Sequence, residues 1–148
     1  MAADIHFFTG LPNRLEFACR LVRQKYRQSE RMAVLAPPAE LFRLDLLLWS
    51  EGPQSFLPHL RWRAGAPVPQ LLQRTPVWLA EAPDPQWACA SLIHLGGVEP
   101  EALARHGRVA ELVGHSDEER ISGRRRWRAY EELGFKPVHH PWSGTVSA

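Results

Sequence analysis

A three-layer α/β domain with a mainly parallel sheet flanked by helices is the fold predicted by this 148-residue sequence. Short apolar runs alternate with amphipathic stretches at helical spacing, and the connections are short. Several of the apolar runs also lack the polar alternation of a half-exposed strand, as expected of strands buried on both faces. With 45% hydrophobic residues the chain can enclose a core, so residues 1–148 are read as one domain, with a loosely packed tail from about 137.

"DIHFFTG" (4–10) predicts a first strand ended by a glycine turn, and "PNRLEFACRLVRQKYRQSE" (12–30) a helix with Leu15, Ala18, Cys19, Val22 and Tyr26 at helical spacing. "RMAVLAP" (31–37) reads as a second strand and "AELFRLDLLLWS" (39–50) as a second helix. Residues 51–76, with five prolines and two glycines, leave room only for short extended pieces or a turn of helix. Buried strands are expected at 77–83 and 87–97, a short helix at 99–105 and a final strand at 108–114. The last helix starts at Ser116, an N-cap followed by Asp117, Glu118 and Glu119 where the helix dipole favours acids, and Gly134 ends it. Val138 and Trp142 are the residues expected to pack the tail.

A formal net charge of +2 excludes coating of nucleic acid by bulk charge, and leaves only a local basic patch for an anionic partner. Cys19 and Cys89 stand alone without a CxxC partner, so neither a disulfide framework nor a thiolate zinc site is implied. There is no secretory leader pattern and no run near the roughly 18 apolar residues of a membrane span, which places the chain in the cytoplasm.

The first strand-to-helix turn, "FFTGLPNRLEF", is where a sheet of this kind would cradle phosphate. It has one glycine, Pro12 removes an amide, and neither GxGxxG nor GxxxxGK[ST] occurs, so no nucleotide or other cofactor is expected. His139 and His140 are the only close histidine pair; adjacent residues on an extended segment point to opposite sides, so they are read as surface histidines and not as metal ligands. Glu81 and Asp84 lie in a proline-rich loop without a base or nucleophile, and no GxSxG or HExxH is present. No catalytic constellation emerges.

The most distinctive stretch is "RISGRRRWRAYEELGF" (120–135). On a helical wheel Arg120, Arg124, Trp127, Arg128 and Glu131 fall within a stripe of roughly 100°, with Ala129, Tyr130 and Leu133 opposite as the core face. Arg126 falls near the core side, which the wheel does not explain. Two readings remain: solvated arginines with Trp127 flat against a loop, or a pocket where guanidinium groups hold a carboxylate or phosphate beside an apolar indole wall. One tryptophan is too few for a stacking track along single-stranded DNA, which favours an acidic peptide. A second cluster, "RLDLLLWSEGPQSFLPH" (43–59), carries Leu44, Leu47 and Leu48 and then Trp49, Phe56 and Pro58, more apolar groups than one helix face requires. Such a cluster suits a partner surface or a satellite of the core equally well.

Taken together, the L-D-x-x-L-W…S-F-x-P-H pairing and the helix ending A-Y-x-x-x-G-F resemble the chi subunit family of the bacterial DNA polymerase III holoenzyme, over essentially the whole chain. The resemblance implies a Rossmann-like fold without a nucleotide site and an adaptor without catalysis. It would join the psi subunit of the clamp loader to the acidic C-terminal tail of single-stranded-DNA-binding protein. It implies a tail pocket of Arg124, Trp127 and Arg128, with Val113 as an apolar wall and Arg120 as a further basic position. The family's aromatic there is usually tyrosine, so Trp127 is a departure that bears on pocket depth. The implied psi surface comprises Leu44, Trp49, Phe56, Pro58 and His59, and a repair helicase is a further partner of that surface. The rival function is a module that binds single-stranded nucleic acid directly through the basic helix; the adaptor reading has nucleic acid reached only indirectly and no membrane.

Overall fold

The computed structural model describes residues 4–50 and 57–143. Along them run β1 (Asp4–Leu11), α1 (Arg14–Arg27), β2 (Met32–Leu35), α2 (Pro38–Trp49), β3 (His59–Arg61), β4 (Val77–Ala80), β5 (Ser91–His94), α3 (Pro100–Ala104), β6 (Arg108–Gly114), α4 (Asp117–Glu132) and β7 (Val138–Pro141). All seven strands lie in one parallel sheet, ordered β3-β4-β2-β5-β6-β1-β7. This is the α/β, Rossmann-like arrangement that the alternation of elements predicts.

Side-chain parity along the strands divides the core in two. Met32 and Val34 of β2, Val77 and Leu79 of β4 and Phe8 of β1 pack with Leu21, Val22, Leu41 and Leu44 of α1 and α2. Their neighbours Ala33, Leu35, Trp78, Ala80 and Phe7 face the other way, onto Leu103 of α3 and Tyr130 of α4. Every residue of β2, β4 and β5 is buried, which explains why these strands read as uninterrupted apolar runs. Helix α1 starts at Asn13, whose side chain accepts the Glu16 amide at 3.1 Å, and α2 starts at Pro38 in the first helical position.

Boundaries depart from expectation where local turns intervene. The described part of the irregular segment holds what was expected of it, a short strand, β3, which pairs with β4, and a 3-10 turn at Gln70–Leu72. The strand expected at 87–97 shrinks to β5, because Asp84 caps a 3-10 turn at Pro85–Trp87 and Ala88 follows in the left-handed region. In the tail, residues 138–141 add a largely exposed strand, β7, to the free edge of β1, where backbone groups would otherwise lack partners. Trp142 then packs edge-on to Phe17 of α1, with ring centroids 6.0 Å apart, whereas Val138 stays 44% exposed. Gly10 has a φ of 68° where the register between β1 and β6 breaks, a left-handed conformation that glycine adopts without strain.

Candidate functional site

Helix α4 is fixed at both ends by its own sequence. Ser116 accepts the Glu119 amide at 3.2 Å, and the Glu119 carboxylate returns to the Ser116 hydroxyl at 3.2 Å. At the far end the Phe135 amide donates to the Tyr130 carbonyl and the Gly134 amide to the Glu131 carbonyl, both at 3.0 Å, with Gly134 at a φ of 94°. Between them, Gly123 lies against β6: an added Cβ would sit 3.0 Å from both Val113 methyls. The missing side chain lets the helix approach the strand, and it leaves Val113 as part of a cavity floor.

That cavity, of about 640 Å³, lies between α4 and the β6-β1-β7 edge of the sheet. Val113, Arg120, Arg124, Trp127 and Arg128, the five residues implied for a tail pocket, all line it. Arg120, Arg124 and Arg128 are exposed, so their charge stays hydrated at the rim. Trp127 is half-buried, its ring 5.1 Å from Phe7 of β1, and it therefore belongs partly to the core and partly to the cavity wall. Phe7 and Val113 complete an apolar floor, and Glu131 places one acid at the far rim. An apolar floor under a cationic rim suits a ligand with an apolar side chain and several carboxylates.

Two lining residues carried no signal in the sequence. His115 follows β6, and His139 is brought in by β7; its ring lies perpendicular to Trp127 at 6.2 Å, and its Nε2 is 2.6 Å from the Thr9 hydroxyl. His140 points to the opposite face, stacked on Phe8 at 4.8 Å and 2.7 Å from His6. The opposed directions are those expected of an extended pair. Among the described residues no group of three or more His, Cys, Asp or Glu side chains is placed to hold a metal ion.

Arg126 has its explanation in a buried carboxylate. Glu111 of β6 is fully buried on the α4 side of the sheet. It accepts from His94 Nδ1 at 2.7 Å, Arg126 Nε at 3.0 Å and the Tyr130 hydroxyl at 2.7 Å. The Val98 amide donates to His94 Nε2 at 3.1 Å, which assigns the ring proton to Nδ1. Burial alone would raise the Glu111 pKa, but the hydrogen bond from His94, the Arg126 charge and the Tyr130 hydroxyl outweigh it and hold the carboxyl below its usual range. Burial and the Glu111 charge push the Tyr130 phenol up in turn. The network pins the rotation of α4, and so decides which of its faces meets the cavity. Leu133, expected in the core with Tyr130, is 46% exposed because it caps the helix where the chain departs.

The crevice at the carboxyl ends of the central strands, where sheets of this type hold ligands, is occupied by the chain's own charges. Arg14 pairs with Glu40 at 2.6 and 2.7 Å and with Glu119 at 3.0 Å, and also donates to the Leu95 carbonyl. Glu119 in turn accepts the Gly114 amide at 3.2 Å. A carboxylate of the protein thus sits at the start of α4, the place a phosphate would take.

In the second predicted surface, Leu44 is fully buried in the core with Leu41 and Leu48, so it supports α2 from beneath. His59 is also buried, held by Asp45 at 2.8 Å and the Leu57 carbonyl at 2.8 Å, with Trp49 lying 4.9 Å from its ring. Pro58 is half-buried, and Phe56 lies outside the described residues. The exposed apolar groups of α2 are Phe42 (58%), Leu46 (55%), Leu47 (40%) and Trp49 (58%). Phe42, Leu46 and Trp49 are spaced i, i+4, i+7, a second stripe that a wheel of this helix reveals.

The described residues contain no helix long and apolar enough to cross a membrane. The C-terminal domain of the yeast (S. cerevisiae) DEAD-box protein Dbp5, in a structure bound to Gle1 and IP6, superposes with a TM-score of 0.61 at 11% identity, covering 94% of this chain and 90% of that one. Another structure of the Dbp5 C-terminal domain gives 0.59 at 12% identity, covering 95% and 91%. At these identities the likeness is one of fold. A Pseudomonas aeruginosa protein, DNA polymerase III subunit chi, is 32% identical over 128 residues, covering 86% of this chain and 85% of the relative. Residues 2–138 match the sequence model of the family described as DNA polymerase III chi subunit, HolC. The chain therefore belongs to the DNA polymerase III chi subunit family, whose business is DNA replication.

Proposed function

We propose that this chain is a non-catalytic adaptor of the cytoplasmic replication machinery, joining the clamp loader through psi to the acidic C-terminal tail of single-stranded-DNA-binding protein. The observation that carries this reading is the α4 cavity, in which Arg120, Arg124 and Arg128 rim an apolar floor of Val113, Phe7 and Trp127. The floor accepts the tail's terminal phenylalanine ring, and Arg124 and Arg128 take its carboxylate and the preceding aspartates. Because the rim is exposed, the contact is modest in affinity and weakened by salt. Titration of a labelled acidic peptide ending in phenylalanine tests it. The Trp127→Ala, Arg128→Ala double variant is expected to bind at least about tenfold more weakly, and unchanged binding would sink the assignment.

The psi surface is proposed on the exposed stripe of α2, with Trp49 and Pro58, supported from beneath by Leu44 and His59. Helix α2 packs on the opposite face of the sheet from α4, so both partners can be held at once. A Leu46→Glu variant should lose capture of psi in a pull-down while retaining wild-type affinity for the tail peptide. Loss of both, or of neither, would move the psi site elsewhere.

A further inference from the structure

We infer that Gly123 is a specificity-determining residue of the α4 cavity: the bare helical turn at this position, resting on Val113, sets the size of the apolar side chain that the floor admits. This rests on the reading of that cavity as a socket for an acidic peptide with an apolar last residue. Gly123 is buried and lies well inside the 16-residue helix. A glycine there is a poorer helix former than alanine, because its backbone loses more freedom on folding. Its φ is not among the positive ones, so no left-handed turn calls for it. The missing side chain therefore answers a need for space and not for an unusual backbone.

Two spaces meet at Gly123. Beneath it, an added Cβ would stand 3.0 Å from both methyls of Val113 and 3.6 Å from its Cβ, so one side would have to move. Alongside it, positions three and four apart are neighbours on a helix surface, which sets Gly123 between Arg120 and Trp127. All four residues line the cavity. The surface of α4 thus has a gap one side chain wide, with a guanidinium at one end, an indole at the other and two methyls underneath. An apolar side chain entering the gap meets carbon on two sides while its carboxylates stay at the rim arginines. A methyl group at 123 would raise this floor. The helix cannot retreat freely, since Glu111 holds Arg126 at 3.0 Å and Tyr130 at 2.7 Å on the inner face. Val113 is 3% exposed and packed in the core, so its methyls have room to turn only toward the cavity. One methylene gained or lost in an apolar pocket changes discrimination by about tenfold or more.

The test compares the affinities of the intact protein for a pair of labelled acidic peptides that differ only in the last residue, phenylalanine or alanine. Wild type should prefer the phenylalanine peptide by about tenfold or more, the scale of burying one ring. Gly123→Ala should lose about tenfold in affinity for the phenylalanine peptide and stay within about twofold for the alanine peptide, whose carboxylates still reach the arginines. Should Gly123→Ala fold poorly, Val113→Ile adds a methyl to the same floor from β6 without touching α4, and the same narrowing is expected. A folded variant that keeps the wild-type preference overturns the inference and leaves Gly123 to helix–strand packing, with the socket intact. Equal binding of both peptides by wild type would leave the arginine rim standing but remove the floor from recognition, which overturns the inference as well. If wild type binds neither peptide, the socket reading itself falls.

Discussion

A Glu111→Ala variant should lose about 3–5 kcal/mol of stability in a denaturant titration. The reason is what the carboxylate leaves behind. His94 is fully buried and its Nδ1 proton points only at Glu111, while the Tyr130 hydroxyl and Arg126 Nε meet the same two oxygens. Truncation strands three donors at once and leaves Arg126 without its counter-charge, although Arg126 keeps a bond to the Ser122 hydroxyl at 2.7 Å. With native stabilities of about 5–15 kcal/mol, that loss brings the chain near its folding threshold. A loss under about 1 kcal/mol would mean that water enters and replaces the carboxylate.

The same group sets a pH dependence. Its folded pKa lies below the unfolded value, so the stabilisation is complete above the unfolded carboxylate pKa of about 4.3 and is lost as pH falls through the folded value. Stability of the wild type should therefore decline below about pH 4.3, and Glu111→Gln, already neutral, should lack that part of the slope.

Local sequence signals made most of the fold legible, because they act over one turn or one strand: Ser116 and Gly134 bracket α4, and the runs at 32–35, 77–80 and 91–94 are apolar on both faces of the sheet. What escaped depends on pairing at long range. Val138–Pro141 has no alternation or apolar run of its own; it is a strand because β1, more than 120 residues earlier, offers a free edge. His139 was therefore invisible as a cavity residue. Arg126 was legible as an anomaly but not as a solution, since Glu111 reads as a lone acid in "RVAELVG" until parity places it facing Tyr130. On α2 the count of apolar residues was informative and their assignment was not. Leu44 and Leu48 serve the core, and Phe42 and Leu46 hold the exposed stripe.

Reversing the two central rim charges, Arg124→Glu with Arg128→Glu, should weaken binding of the acidic tail peptide by about a hundredfold or more, while the denaturation midpoint stays within about 0.5 kcal/mol of wild type. The two effects should separate because both guanidinium groups are exposed and are proposed to hold the ligand, whereas the helix is pinned from beneath by Glu111 and Tyr130. Charge-assisted hydrogen bonds contribute about 1.5–3 kcal/mol each, and reversal adds repulsion against the tail's carboxylates. Wild-type affinity should fall steeply between low and physiological salt, and the variant's residual binding, carried by Val113 and Trp127, should hardly change. Single-stranded DNA supplies the decisive contrast, because a basic helix that gripped phosphates would also lose its ligand on charge reversal. On the proposed reading, wild type should be retained by strands coated with single-stranded-DNA-binding protein and released from naked ones. Equal retention of wild type on both, with a steep salt slope on the naked strand, would establish the arginine row of α4 as a nucleic-acid contact and displace the peptide.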